Sequence, residues 1–477
     1  MKRCVSAGLF FLCLWSSGWA GARDDLRGLV DTAMEWNPRV RAAAHQLEQA
    51  AAERAGLRGF FDPKLTAGGE YADSVYGRRE SLLQAGVSAP VVPGVYLDAA
   101  LEERFYDQLG ELDSTSLEYD RLIQSRAWLG LNVPLLQDRG WRQWRLDDLR
   151  ARHAYEAAAS QLLAVRQEVR REVEQRYFAV LEAQALIGVA AAAAERAEKL
   201  LREAESMVSV QALPEYQVYA ARSAAALRKD EELAARQNYD AAVLVLQEIV
   251  AAPAAAALAA PELKDVIDWA LALHLPADCQ AGKYLAARGN HARIMSQIEA
   301  DRAARDLAED QLRSKLALVL ETTLQGEDPD DLVATGRYLS SRNAGVLAGV
   351  VWSRPWGHRA EKSQVRVKNA QLAGQGESLR QAELAIATEL AVAHRRFAAA
   401  RGRLQQASIS VAAAQQALDS EDERFRLGEG RSRNVLDAQK DLTDALKRQI
   451  VAGVELLRAY FEFAFAAGYS LADAGEL

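Results

Sequence analysis

The most regular hydrophobic pattern in this chain has the period of an α-helix. Near the C-terminal end a narrow apolar stripe recurs every three or four residues, through Leu442, Leu446, Ile450, Val454, Leu457, Phe461 and Phe465. A similar stripe runs through Leu162, Val165, Val169, Val173, Tyr177 and Val180. Alanine fills many flanking positions, and it both favours helix and lets neighbouring helices approach closely. The pattern predicts long helices that pack against one another.

This helical pattern occurs twice, with the second copy about 220 residues after the first. A proline-containing junction at residues 134–140 precedes the first long stretch, and a similar one at residues 355–359 precedes the second. Each stretch is interrupted once, at residues 211–214 and at residues 428–430, and a second helix follows. As a helix, residues 140–210 would be about 100 Å long. Such a length suits a coiled coil, a long bundle or a tube.

Strand-like segments precede the long helix of each copy. They are residues 64–71, 81–92, 95–105 and 122–136 in the first copy, and 316–324 and 344–352 in the second. The last two flank a polar loop, residues 325–343, with four acids, Glu327, Asp328, Asp330 and Asp331. About nine to eleven residues suffice for a tilted strand to cross a bilayer, and all of these segments except the eight-residue one at 64–71 reach that length. Four to six strands cannot close a barrel around an open channel, so a membrane role would require other copies.

The N-terminus has the layout of a secretory signal. Basic residues precede an apolar run at residues 5–15, and small residues follow at positions 20–22. We expect cleavage after residue 22, and a membrane anchor is less favoured because the apolar run is short. The mature chain then keeps only Cys279 and cannot form an internal disulfide. It also has no uninterrupted apolar stretch of about 18 residues, so any membrane crossing should use β-strands.

The remaining composition argues against several functions. Acidic residues (66) outnumber basic residues (58), and no basic stripe suited to nucleic acid is present. The six histidines are scattered without metal-ligand spacing, and there is no nucleophile elbow or phosphate-binding loop. Paired acids such as Asp147-Asp148 and Glu231-Glu232 are expected on solvated helix faces. The sequence predicts no catalytic residues, no metal and no cofactor, and therefore no enzyme.

Three segments carry a family resemblance through their order and spacing. Residues 133–140 read Val-Pro-Leu-Leu-Gln-Asp-Arg-Gly, and residues 425–439 read Phe-Arg-Leu-Gly-Glu-Gly-Arg-Ser-Arg-Asn-Val-Leu-Asp-Ala-Gln. Together with residues 29–65 and the duplication, they make the chain resemble the TolC-like outer-membrane efflux protein family along nearly all its mature length. The first segment is similar to the family's strand-to-helix junction and the second to its helix-turn-helix tip. Residues 29–65 resemble its entry helix and first strand.

The resemblance implies a mainly α fold with a β-barrel portion and two internal repeats. Three copies would form one tube, in which a shared transmembrane β-barrel spans the outer membrane and an α-helical barrel crosses the periplasm. The implied function is a passive outer-membrane channel for efflux or type I secretion. Implied partners are two further copies in a homotrimer, outer-membrane lipid, a periplasmic adaptor (membrane fusion) protein, and an inner-membrane pump or ABC exporter. Nucleic acid is not among them.

The first copy departs from the family pattern by about 30 extra residues around positions 73–126. They predict either an additional β-hairpin or a long extracellular loop, and we keep the family plan of four strands per subunit as the expectation. The expected organisation is a signal peptide at 1–22, a first repeat at 23–255, a linker at 256–285, a second repeat at 286–470 and a tail at 471–477.

The tip of the second copy is the main site candidate. The resemblance implies that a ring of acidic side chains narrows the channel there, and Asp437 stands at the family's acidic position. Asn434 stands where some members have a second acid, and Arg433 could tether the tips by ion pairs. Three Asp437 carboxylates near one axis would repel each other and attract cations. The alternative is ordinary capping, with Asn434 as N-cap and Asp437 in the first helical turn.

The resemblance also implies that the turns dock the adaptor protein. The predicted docking residues are Gly428, Glu429, Gly430, Leu213 and Pro214. Gly428 and Gly430 equally suit a left-handed helix end, and Pro214 suits the first turn of the next helix.

A different class of function is a periplasmic coiled-coil scaffold or adaptor without a pore. The helices alone would permit it. The acid-rich loop between two alternating apolar segments favours the channel, because a scaffold has little use for paired strands.

Overall fold

A computed structural model describes residues 17–73, 78–92, 94–108, 121–209, 214–251, 267, 270–276, 280–328, 344–427, 429 and 431–469. The first half contains α1 (Ser17–Trp36), α2 (Pro38–Gly56), β1 (Lys64–Asp73), β2 (Arg78–Val92), β3 (Val95–Gln108), β4 (Arg121–Pro134), α3 (Trp141–Ser209) and α4 (Tyr216–Val250). The second half contains α5 (Gly289–Asp310), β5 (Lys315–Asp328), β6 (Ala344–Ser353), α6 (Arg359–Arg426) and α7 (Ser432–Ala466). Short 3-10 helices lie at Leu57–Phe61, Ala281–Lys283 and Leu285–Ala287.

The two predicted helical copies are nearly equal in length. Helices α3 and α6 have 69 and 68 residues, and each is followed by a 35-residue helix, α4 or α7. Each pair is separated at the predicted interruption. The internal repeat is therefore confirmed, and we call α3–α4 the first hairpin and α6–α7 the second hairpin.

The chain divides into two compact units, each of which takes segments from both halves of the sequence. One unit contains residues 1–46, 159–293 and 379–477, and the other contains residues 47–158 and 294–378. Residues 1–16, 252–266 and 470–477 lie outside the described residues. Most of the predicted signal, much of the linker and the tail fall there.

All six described strands form one antiparallel sheet in the order β1-β2-β3-β4-β5-β6. The expectation of four strands per subunit is therefore wrong, because β2 and β3 are additional. These two strands come from the extra residues of the first copy and form a hairpin that pairs with β1 on one side and β4 on the other. Strand β5 also continues through Asp328, so the predicted polar loop begins later than residue 325.

The register gives the sheet one apolar and one mainly polar face, since side chains alternate along a strand and directly paired residues share a face. The apolar face includes Leu65, Leu83, Val87, Leu97, Leu101, Leu129, Leu320 and Val350. The opposite face includes Glu70, Gln84, Asp98, Glu102, Arg104, Arg126, Glu321 and Gln325. Exceptions include Leu82, Leu347 and Val351 on the polar face and Glu103 on the apolar face.

The predicted helical stripes are packed in the core of the unit that contains residues 159–293 and 379–477. Tyr177 and Phe178 of α3 are both fully buried, and the Phe178 ring lies 5.1 Å from that of Phe461 on α7. Helix α3 also contains an 18-residue window of mean hydropathy 1.6, of which 44% is buried. By length and composition this window could cross a membrane, but the core helix of a soluble protein passes the same test. The stripes therefore act in packing between helices.

Candidate functional site

The second hairpin ends in the short turn that carries the predicted gate. Helix α6 ends at Arg426 and α7 begins at Ser432. The amide of Glu429 donates a hydrogen bond of 3.0 Å to the carbonyl of Arg424, which closes the end of α6. The Glu429 side chain is exposed and available to a partner. The other predicted docking residues of this turn, Gly428 and Gly430, lie outside the described residues.

An apolar cluster behind the turn holds it in place. It joins α3, α6 and α7 through Leu200, Leu418, Phe425, Val435 and Leu442. Phe425 and Val435, on the two sides of the turn, are 1% and 0% exposed. Burial of each such side chain contributes about 1.5–3 kcal/mol. The turn therefore stands on a well-packed base.

The three predicted gate residues share the solvent-facing side of α7. Arg433, Asn434 and Asp437 are all exposed, while Ser432 and Val435 between and beside them are buried. Asp437 is the surface neighbour of both other residues, since it lies three positions after Asn434 and four after Arg433. Within the described chain, no hydrogen bond or ion pair engages the side chains of these three residues. They are therefore available to other copies or to solute.

The alternative assignment of these residues to helix capping is wrong. The N-cap of α7 is Arg431, in an extended conformation and without a side-chain cap hydrogen bond. The amide of Asn434 donates to the carbonyl of Arg431 at 3.0 Å, so Asn434 lies inside the first turn. Asp437 lies beyond that turn, where the favourable interaction with the helix N-terminus has faded. The exposure of Asp437 is thus not explained by a capping role.

The turn of the first hairpin is built differently. The N-cap of α4 is Glu215, also without a side-chain cap hydrogen bond. Pro214 precedes it and accepts a hydrogen bond of 3.1 Å from the amide of Gln217, so Pro214 stands just before the helix and not in its first turn. Pro214 is exposed. Leu213, the other predicted docking residue here, lies outside the described residues.

The two hairpins are linked near their turns. The side-chain oxygen of Gln217 accepts a hydrogen bond of 3.4 Å from the amide of Ser432, and both residues are buried. Further along the helices, Lys447 of α7 lies 3.6 Å from Glu231 of α4. These contacts tie the starts of α4 and α7 together, so the two turns form one composite tip.

Charged groups on α3 and α6 surround the base of this tip. Burial raises the pKa of the Asp422 carboxyl above its ordinary value. Arg426 opposes this effect and Glu203 adds to it, with smaller contributions from Lys199 and Asp419. Asp422 therefore takes up a proton at a higher pH than an exposed aspartate would. The negative charge of the tip region decreases accordingly on acidification.

In the described ranges, no group of three or more His, Cys, Asp or Glu side chains has an arrangement that could hold a metal ion. The Cys279 position lies outside those ranges.

Sequence reasoning missed a second set of polar residues, on the polar face of the sheet. Arg126 of β4 lies 3.2 Å from Glu321 of β5, and Arg104 of β3 lies 2.7 Å from Glu102. Glu102 and Arg126 are direct partners across β3 and β4. The alternation of polar and apolar residues along each strand was visible in the sequence. Which of these residues share one face of the sheet follows only once the register between strands is known. These charges give the polar face a band of ion pairs.

The fold is similar to those of several solved outer-membrane channels. The outer-membrane channel OprN has a TM-score of 0.70 and 18% identity, over 95% of this chain and 92% of that chain. The Campylobacter jejuni CmeC outer membrane channel has a TM-score of 0.68 and 16% identity, over 94% of this chain and 87% of that one. The outer membrane protein VceC from Vibrio cholerae has a TM-score of 0.66 and 16% identity, over 95% and 99%.

No protein-family model and no curated protein matches the sequence. The structural similarity nevertheless covers nearly the whole chain. The expected TolC-like fold, mainly helical with a β portion and two internal repeats, is therefore confirmed.

Proposed function

We propose that this chain is a subunit of a passive outer-membrane channel formed by three copies. The observation that carries the proposal is the two-faced sheet, with its exposed apolar face and its charged opposite face. Leu65 and Val346 on the apolar face are 79% and 83% exposed. An apolar outer surface with a polar interior is the pattern of a transmembrane β-barrel around water.

The dimensions of the sheet suit a bilayer. Strands β2 to β5 have 14 or 15 residues. At about 3.3 Å per residue and a tilt of about 40°, they cover on the order of 35 Å, slightly more than the hydrocarbon core. Trp352 and Phe105 lie on the apolar face near its opposite margins, since Trp352 pairs with Leu316 at the start of β5 and Phe105 lies in the row that ends at Asp328. Aromatic residues at both margins favour two membrane interfaces.

The sheet needs other copies. Within the described part of the chain, the outer edges of β1 and β6 have no partner strand. Long apolar edge strands lead to aggregation unless they are paired, and six strands cannot enclose an open channel. Pairing of β6 in one copy with β1 in the next removes both edges, and this supports a closed ring of identical copies, which we propose to be a homotrimer.

At the composite tip, three copies of Asp437 would form the acidic ring of a gate. Arg433 and Asn434 lie beside it on the same exposed surface and would contribute ion pairs and hydrogen bonds between copies. A ring of carboxylates repels anions and favours cations. The tip would thereby restrict passage while the channel is idle.

The turns would dock a periplasmic adaptor protein, through Glu429 and Pro214 and through Gly428, Gly430 and Leu213. That adaptor would connect the channel to an inner-membrane pump or ABC exporter, in efflux or type I secretion. The chain would thus reside in the outer membrane after export, with its signal peptide removed. Transport would follow from the pore alone, without a catalytic step.

The competing function is a periplasmic scaffold without a pore, and the two are separable by membrane extraction. Isolated outer membranes are washed with alkaline carbonate, and the protein is then run with and without heating. A channel subunit stays in the pellet and migrates as a trimer that heating converts to a monomer. A protein released by carbonate as a monomer would contradict the channel proposal.

A further inference from the structure

The β2–β3 hairpin is fully integrated into the sheet. Strand β2 pairs with all of β1, from Lys64 with Ser88 to Asp73 with Arg79. Strand β3 pairs with β4 from Tyr96 to Asp107. A plug inside a pore or a loop outside the membrane would leave β1 and β4 in direct contact. Here the hairpin separates them.

The hairpin has the same two-faced chemistry as the strands around it. Leu83 and Leu101 share the apolar face with Leu65 and Leu129. On the other face, Gln84, Glu102 and Arg126 are consecutive partners in one row. This continuity fits strands that contact lipid on one side and water on the other.

The turn of the hairpin is also held at its base. Gly94 has φ +83°, and a Cβ atom there would lie 2.8 Å from the carbonyl oxygen of Asp138. The turn therefore packs directly against the backbone of the junction between β4 and α3. Such close packing fixes the hairpin in the plane of the sheet, where it would form part of the barrel wall.

The edges of the sheet are compatible with closure into a ring. Because six antiparallel strands alternate in direction, β6 runs opposite to β1, and head-to-tail pairing between copies keeps the whole sheet antiparallel. The two edge strands also match in length, with 10 residues each. A ring of identical copies can thus close without an irregular joint.

We propose that the shared barrel contains eighteen strands, six from each of three copies. This inference rests on the proposed function, which supplies the three copies. Barrel diameter grows roughly linearly with strand number, so the barrel is about 1.5 times as wide as one of twelve strands and falls in the range of water-filled porins. The membrane portion then places little restriction on polar solutes, and selection falls to the helical tips.

The first test locates the hairpin in the membrane. Single cysteines are introduced in a Cys279→Ser background and spin-labelled in the assembled, reconstituted protein. Labels at Leu83→Cys and Leu101→Cys should collide with oxygen dissolved in lipid. The matched labels at Gln84→Cys and Glu102→Cys should collide with a water-soluble nickel chelate. Loss of this alternation would overturn the eighteen-strand barrel.

The second test reports which strands are neighbours. Ala67→Cys with Ala85→Cys joins direct partners on β1 and β2 and should form a disulfide within one chain. Ala67→Cys with Ala127→Cys should not, because β1 and β4 are about 14 Å apart across three strand spacings, beyond disulfide reach. A disulfide from position 67 to position 127, or to its same-face neighbours 125 and 129, would mean that the hairpin lies outside the wall.

A third measurement separates failure of the inference from failure of the proposed function. Within one chain β1 and β6 are about 24 Å apart, so a disulfide between a cysteine on each joins different copies. Covalent trimers together with lipid-facing hairpin labels support eighteen strands. Covalent trimers with water-facing labels on both sides of the hairpin overturn the strand number and leave the channel proposal standing. Absence of trimers and of membrane retention overturns both.

Discussion

The two helical hairpins are alike in length, but their second helices meet different environments. Helices α4 and α7 each have 35 residues, yet seven residues of α4 are buried compared with 19 of α7. In α7, Leu456, Leu457 and Phe463 are fully buried. In α4, Leu227, Leu233 and Leu244 are more than half exposed.

This difference indicates which hairpin is completed within one chain. Helix α7 contributes its apolar stripe to the core of its own subunit. Helix α4 leaves Leu227, Leu233 and Leu244 exposed, and a contact with another copy would bury them. In the proposed trimer, α4 would therefore lie nearer the contact between copies than α7.

The largest effect should come from truncating the core of α7. Leu457→Ala removes a fully buried side chain, so we expect the free energy of unfolding to fall by about 2–5 kcal/mol. The matched change in α4 is Leu244→Ala, at a side chain that is 65% exposed. It should change the free energy of unfolding by no more than about 0.5 kcal/mol but weaken trimer association. Thermal unfolding followed by circular dichroism, with native electrophoresis, measures both. Equal destabilisation by the two changes would contradict the comparison.

A second prediction concerns the anchor at the end of α7. The hydroxyl of Tyr469, just after α7, donates to Glu174 of α3 at 2.9 Å, and Arg170 donates to the same carboxylate at 3.0 Å. Burial raises the pKa of Glu174 from 4.5 to about 7, although Arg170 and Tyr469 favour its ionised form. Between these two pH values the folded state binds more protons than the unfolded state. The contribution of Glu174 to stability should therefore be greatest below about pH 4.5 and decline by roughly 3 kcal/mol as the pH rises through 7.

Glu174→Gln should remove this contribution and flatten the decline of the unfolding midpoint between pH 5 and pH 8. Glu168→Gln is the matched control, since it removes a carboxylate from the same helix at a side chain that is 57% exposed. An unaltered pH profile in Glu174→Gln would show that the carboxyl is ionised throughout this range.

A third prediction tests the tip of the second hairpin. Asp437→Ala should increase the conductance of the idle channel, because it removes three negative charges from the proposed ring without touching the core. The control is Asp441→Ala, one turn further along the same helix. Both variants should have a free energy of unfolding within about 0.5 kcal/mol of that of the parent protein. Idle conductance equal to that of the parent would remove Asp437 from the gate.

The smallest effect should come from the tip of the first hairpin. Arg222 of α4 pairs with Glu205 of α3 at 3.0 Å, and the two side chains are 63% and 45% exposed. Because solvent and salt screen such pairs, Arg222→Ala should change the unfolding free energy by about 0.2–1 kcal/mol at most. Repeating the denaturation in high salt should abolish even that difference. A larger, salt-independent loss would mean that the first tip is more tightly built than its exposure indicates.

Local periodicity was enough to predict most of the elements. The stripes through Tyr177 and Phe461 are buried as expected, and the six strand-like segments correspond to β1–β6, mostly to within a few residues. Periods of 3.6 and 2 are read from neighbouring residues alone. The bounds of the four long helices follow from the same pattern and from the glycine and proline interruptions.

Pairing and tertiary contacts could not be read in the same way. Six strand segments were recognised, yet the four-strand expectation failed because a strand's sequence does not state which strand it pairs with. The hydrogen bonds from Ser432 to Gln217 and from Tyr469 to Glu174 join residues 215 and 295 positions apart. The capping interpretation of Asn434 failed because the N-cap lies three residues earlier, at Arg431, a residue type that N-cap preferences do not favour. The roles of Asp437, Asn434 and Arg433 in a gate stay predictions.

The most direct test of the account is single-channel recording from the purified protein in a planar lipid bilayer. If three copies combine their sheets into a water-filled wall, insertion should produce discrete, uniform steps of ionic current, and heating the sample to monomer beforehand should abolish them. Preparations that contain the folded trimer but leave the bilayer without current steps, even after Asp437→Ala, would contradict the account.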